Sequence, residues 1–148
     1  MENISVRDIL AEKGSNVFTI RPEETVFEAL RIMSEKNIGA LLVMKHDHLE
    51  GIVTERDYAR KVALLGKQSE VTTVGEIMNA IKYTISSNGT LNDAMSIMSD
   101  HSIRHLPVLD DGKLVGILSI IDLIKRIISV QRKEIDHLQN YITGRYMA

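Results

Sequence analysis

The sequence predicts an α/β (α+β) fold of two β-α-β-β-α repeats followed by a C-terminal helical extension. Three observations predict it. The stretch from Thr19 to Asp57 reappears without a gap from Thr84 to Asp122, at a constant offset of 65 positions. Within each copy, helical stretches with three-to-four-residue apolar spacing stand between short segments that suit strands, some rich in β-branched and aromatic residues. Beyond the second copy, apolar residues fall near a seven-residue rhythm.

The repeat is carried by identities such as Thr19/Thr84, Ile20/Ile85, Thr25/Thr90, Ala29/Ala94, Met33/Met98, Val43/Val108, Gly51/Gly116 and Asp57/Asp122. Most are small or apolar, so they describe a supersecondary unit that cannot bury its own face and packs against its copy. At 148 residues the chain has the size of one compact module, in which the copies share a core.

The elements follow in order. Val6–Leu10 opens a short amphipathic helix ended at Gly14, and Val74–Met78 repeats that pattern. Val17–Ile20 and Lys82–Ile85 are rich in the β-branched and aromatic residues that suit strands. A helix begins near Thr25, with Val26, Ala29, Leu30, Ile32 and Met33 on one face; its copy begins near Thr90, with Leu91, Ala94, Met95, Ile97 and Met98. Strand pairs follow at 40–44 and 49–53, and at 105–109 and 114–118. Asp110-Asp111-Gly112 supplies a hairpin turn, and His46-Asp47-His48 is its counterpart. A last helix starts at Thr54 or Ser119, and polar residues 65–73 form the connection.

The domain boundaries read this way are 1–65 for the first repeat with its N-terminal helix, 66–128 for the second, and 129–148 for a helical tail. Ile124, Ile127, Ile128, Gln131, Ile135, Leu138 and Ile142 carry the tail's rhythm. It is either an arm folded on its own domain or a helix that packs against another subunit.

Composition narrows the function. The chain is 44% hydrophobic and 26% charged, with 18 Lys plus Arg against 20 Asp plus Glu and a net charge of −2, which disfavours a nucleic-acid scaffold. No Trp and only six Phe and Tyr offer little for base stacking. There is no cysteine, hence no disulfide, thiolate metal site or cysteine nucleophile. The charged start Met1–Asp8 has no apolar signal segment, and no run reaches the length of a membrane span, so a cytoplasmic location without membrane association is expected.

The chemistry-bearing motif is Gly51-Ile52-Val53-Thr54-Glu55-Arg56-Asp57 and its copy Gly116-Ile117-Leu118-Ser119-Ile120-Ile121-Asp122. One reading is a capping box, in which the hydroxyl satisfies a free amide of the new helix and the acid reaches back. The other is a ligand site, because glycine, hydroxyl and aspartate recur as a set. A helix N-terminus receives phosphate, a carboxylate accepts hydrogen bonds from ribose hydroxyls, and glycine allows close approach to the backbone.

With Arg104-His105-Leu106-Pro107-Val108 and the helix before each strand pair, the sequence resembles a tandem pair of CBS domains, over nearly the whole chain. The resemblance implies a pseudo-twofold pair with two clefts that bind adenosine ligands: AMP, ADP, ATP, NAD or S-adenosylmethionine. Carried onto this chain, Asp57 and Asp122 hold ribose, while Thr54 and Ser119 touch phosphate or ribose. Adenine sits near Thr19, Ile38, Ala40 and Leu42, or near Thr84, Ile103, His105 and Pro107. The clefts differ: Arg104 replaces Gly39, and Arg56 stands where the second copy has Ile121, with Arg60 and Lys61 or Lys125 and Arg126 one turn further on. Ile121 departs from the glycine common at that position in the family. The resemblance also implies a homodimer.

His46-Asp47-His48 is the turn that its counterpart predicts rather than a metal site, and Pro107 breaks the helix that a His101/His105 metal pair needs. No nucleophile–base pair or Gly-rich nucleotide fingerprint emerges, so an enzyme is not expected. The reading is a stand-alone regulatory module that binds an adenosine nucleotide and passes its ligand state to a partner protein. The alternative is a constitutive interaction or dimerisation module with vestigial clefts.

Overall fold

The computed structural model describes residues 4–14 and 16–144. The start of the chain at 1–3 and the end of the predicted tail at 145–148 lie outside the described residues. In chain order the elements are α1 (Val6–Lys13), β1 (Thr19–Ile20), α2 (Val26–Lys36), β2 (Ala40–Lys45), β3 (His48–Thr54), α3 (Glu55–Tyr58), α4 (Val74–Ile77), α5 (Leu91–His101), β4 (His105–Asp110), β5 (Lys113–Ser119) and α6 (Ile120–Ile142). A π-helical turn, Ala59–Ala63, continues α3. These make the two expected repeats and the C-terminal helix.

In the first repeat β1 runs parallel to β2, with Thr19 opposite Leu42, and β2 runs antiparallel to β3, with Ala40 opposite Thr54. Helix α2 starts where Thr25 accepts a hydrogen bond from the Glu28 amide, and stops where Asn37 turns left-handed at φ 53°. Its buried stripe of Val26, Ala29 and Met33 meets Ile20, Leu41, Val43 and Val53 in one core with Val62, Val74 and Ile77. Ala40 and Leu42 are buried as well, on the opposite face of β2, as strand alternation requires.

The second repeat has the same plan, with Leu91, Ala94 and Met98 of α5 against Leu106, Val108, Leu118 and Leu123. Its hairpin turns through Asp111 at φ 51° and Gly112 at φ 77°, the positive angles predicted there. One expected strand is missing. Residues 82–85 contribute only a bridge between Ile85 and Val108, in which the Ile85 amide donates to Pro107 O and the Leu109 amide donates to Ile85 O. Pro107 stands where the first repeat has Leu42, and without an N–H it cannot extend a parallel ladder.

Two compact units result: residues 16–84 with the 111–114 turn, and residues 4–14, 85–110 and 115–144. Helix α1, grouped by sequence order with residues 1–65, thus packs with the second repeat. Val6 and Ile9 enter that repeat's core, the Val6 amide donates to Gly89 O at 2.8 Å, and the Arg7 amide donates to Ser87 O at 3.0 Å. Helix α4 does the same for the first repeat, through Val74 N–H to Glu24 O at 2.8 Å and Gly75 N–H to Pro22 O at 2.9 Å. The helix ahead of each repeat completes the core of the other.

The exchange explains the motif glycines. A Cβ on Gly51 would lie 2.6 Å from Asn79 O and 3.0 Å from Met78 Sδ, in the chain leaving α4. On Gly116 it would lie 2.8 Å from Leu10 Cδ2 of α1. The first obstacle is backbone held in the Ile52–Asn79 bridge; the second is the end of a side chain that can rotate. Gly51→Ala is therefore expected to destabilise the protein by about 2–3 kcal/mol, an overpacking cost, and Gly116→Ala by clearly less. Urea unfolding of both variants checks this, and an equal or reversed order contradicts it.

Candidate functional site

The site is built where a β-strand hands over to a helix. In the first repeat β3 ends at Thr54, whose extended backbone leaves the first amides of α3 without helical partners. The Asp57 amide donates to Thr54 Oγ1 at 3.2 Å, while the Thr54 amide and hydroxyl donate to Asp57 Oδ2 at 2.8 and 3.0 Å. In the second repeat the Asp122 amide donates to Ser119 Oγ at 3.2 Å, and the Ser119 amide donates to Asp122 Oδ2 at 2.8 Å. Both junctions are reciprocal capping boxes, like those of Thr73/Glu76 and Thr90/Asp93.

The carboxylates also bind incoming chain that sequence reasoning did not identify. Asn79 Nδ2 donates to both Asp57 oxygens at 2.9 Å, and Lys61 Nζ lies 3.4 Å from Oδ1 while donating to Ile77 O and Asn79 Oδ1. At the second junction Lys13 Nζ, from the end of α1, donates to Asp122 Oδ2 at 2.7 Å and to Ile117 O at 2.8 Å. One turn further on, Arg126 pairs with Glu12. Asn79 and Lys13 stand far from the motif in sequence, and only the helix exchange brings them to it.

Glycine, hydroxyl and aspartate thus each have a partner within the chain, so their recurrence as a set does not by itself require a ligand. The two carboxylates differ all the same. Asp57 uses both oxygens, whereas the hydrogen bonds from Lys13 and from the Ser119 amide both fall on Asp122 Oδ2.

Of the other predicted site residues, some are brought to these junctions by backbone hydrogen bonds. Gly39 O accepts from the Glu55 amide at 3.1 Å, which places Ile38, Gly39 and Ala40 against the start of α3. Thr19 and Leu42 are paired two residues further along β2. Arg56 is exposed on α3. In the second repeat Arg104 O accepts from the Ile120 amide at 2.9 Å, which brings Ile103, Arg104 and His105 to the start of α6. Pro107 is buried in β4, and Thr84 is exposed just ahead of Ile85. Two open depressions lie in the first repeat, neither lined by Asp57: one of about 570 Å³ lined by Ile38, Gly39, Glu55 and Tyr58, and one of about 440 Å³ lined by Thr19, Glu24, Met44 and His46. No group of three His, Asp or Glu side chains among the described residues is placed to hold a metal ion.

Two groups at the second junction titrate away from their ordinary values. Burial pushes His105 down, reinforced by Lys13 and Arg104 and opposed by Asp122. Burial pushes Asp122 up, but the hydrogen bond from Lys13, the Ser119 amide and the charge of Lys13 outweigh it and hold the carboxyl below 3.8. A carboxyl depressed by folding contributes stability that is fully present above its unfolded value of about 3.8 and lost as pH falls through the folded value. Lys13→Met is expected to raise the Asp122 titration in carboxyl 13C NMR and to move acid unfolding to higher pH. Unchanged titration in that variant contradicts the assignment.

Comparison with known proteins gives the same architecture. The CBS domain family model matches residues 6–64 and 74–129. A crystallised CBS domain is 48% identical over 84% of this chain and 97% of its own, with a TM-score of 0.80. A putative signal-transduction protein with CBS domains from Burkholderia ambifaria is 44% identical over 84% of this chain and 94% of its own, also with a TM-score of 0.80. A mitochondrial CBS domain-containing protein of Arabidopsis thaliana is 34% identical over 98% of this chain and 75% of its own length. With both repeats matched and the same module found in each of these relatives, the chain belongs to the CBS-domain family, as a tandem pair.

Proposed function

We propose that this tandem pair is a regulatory module that binds an adenosine nucleotide, AMP, ADP, ATP or NAD, through ribose and phosphate at its strand-to-helix junctions, and passes that state to a partner protein. The observation that carries the reading is the Asp122 carboxylate, which takes the hydrogen bonds of Lys13 and of the Ser119 amide on Oδ2 and leaves Oδ1 outside both. A ribose diol donates to such an oxygen. Around it stand Lys13, Arg104 and His105, so the same junction offers cations for phosphate. Binding there sets ribose and phosphate in competition with the Lys13–Asp122 pair, and so acts on α1. Such a ligand shifts the protein only by as much as it prefers one arrangement over the other.

The module carries out no reaction in this reading. It acts in the cytoplasm as a homodimer, away from membrane and nucleic acid. Asp57 favours a second function for its own junction: with Thr54 and Asn79 filling its carboxylate, that junction serves as a constitutive structural joint. Calorimetry with AMP, ATP and NAD on the unmodified protein, Asp57→Ala and Asp122→Ala separates the two readings. The expected result is saturable binding, weakened at least tenfold by Asp122→Ala and less by Asp57→Ala, in line with the loss of about 1.4 kcal/mol or more. Absence of binding to the unmodified protein favours the constitutive module.

A further inference from the structure

Helix α6 carries two apolar faces. Ile120, Leu123 and Ile127 pack on the second repeat's core. Another stripe, Ile121, Ile124, Ile128, Gln131, Ile135, Leu138 and Ile142, is exposed along its whole length. Its members alternate steps of three and four residues without a break from Ile121 to Ile142, a run of about 32 Å of helix. Residues 131–139 are exposed on every side, and a helical stretch of that length is marginal in water without a packing partner.

We infer that this stripe is a coiled-coil seam that pairs in parallel and in register with α6 of a second copy of the chain. An unbroken 3-4 repeat over three heptads complements itself, placing Ile121, Ile128, Ile135 and Ile142 in one set of core layers and Ile124, Gln131 and Leu138 in the other. The flanking charges select the orientation. Lys125, Arg132 and Gln139 line one side of the stripe, and Ile127, Glu134 and Tyr141 line the other. In a parallel pair, Glu134 faces Gln139 of the second copy and Ile127 faces its Arg132, with no like charges opposed. Antiparallel registers that overlap most of the stripe set Lys125 against Arg132, or Arg132 against Arg132 and Glu134 against Glu134, which is repulsive. Gln131 fits the same choice: in a parallel pair the two amides meet in one layer and hydrogen-bond each other, so a register slipped by one heptad strands them against Ile124 or Leu138. The inference does not depend on nucleotide binding.

The chain has no cysteine, so one introduced thiol reports directly on the seam. Leu138→Cys places it in the seam, and Lys133→Cys places it on the opposite side of the helix. Under mild oxidation at micromolar concentration, Leu138→Cys is expected to form disulfide-linked dimers at least tenfold faster than Lys133→Cys. The unmodified protein is expected to sediment as a dimer or larger assembly. Ile135→Glu with Leu138→Glu, both at exposed positions, is expected to weaken self-association at least a hundredfold with unchanged thermal unfolding of the body. Three results each overturn the inference: a monomeric unmodified chain, equal cross-linking at the two cysteines, or self-association untouched by the paired glutamates.

Discussion

Each repeat of this protein is closed by one carboxylate placed three residues after a hydroxyl, where a strand ends and a helix begins. Asp57 and Asp122 satisfy the amides of their own junctions and also bind the segment arriving from the exchanged helix, through Asn79 in one case and Lys13 in the other. Removing either would leave capping amides and an incoming polar group without their acceptor at once. The motif glycines belong to the same joint, since the incoming chain passes where a side chain would stand.

That joint makes the two repeats similar in fold and unequal in chemistry. Asp57 is 7% exposed and bound by a neutral amide on both oxygens, with the Lys61 ammonium 3.4 Å from one of them. Asp122 is bound by an ammonium on one oxygen, and the cation sits beside a histidine whose protonation burial disfavours. The proposed nucleotide carries hydroxyls for the carboxylate and negative charge for the cations, which is why the second junction is its proposed site. On that proposal, exchange of α1 between repeats gives the ligand a mechanical consequence. Displacing Lys13 acts on a helix that enters the chain before the other repeat begins.

Much of this was legible in the sequence. The ungapped repeat gave the pair of β-α-β-β-α units, because apolar identities must stay in register to build equivalent cores. Thr25, Thr90, Thr54 and Ser119 marked helix starts correctly, because capping is a local interaction between residues three apart. What the sequence hid depends on chain far away. Nothing near Asp122 announces Lys13, and nothing near Gly51 announces Asn79, since both arrive through the exchange of helices. The strand at 82–85 failed for a long-range reason too: its own residues suit a strand, but Pro107 on the neighbouring strand withholds the amide that a ladder requires.

In the proposed function the capping carboxylate Asp122 serves both the fold and a ligand. Following the Lys13 ammonium nitrogen by NMR while ATP is added tests it most directly. The expected result is a saturable shift of the Lys13 signal as phosphate and ribose compete for the groups of its ion pair, with a smaller response at Lys61. A Lys13 signal that does not move up to millimolar ATP contradicts it.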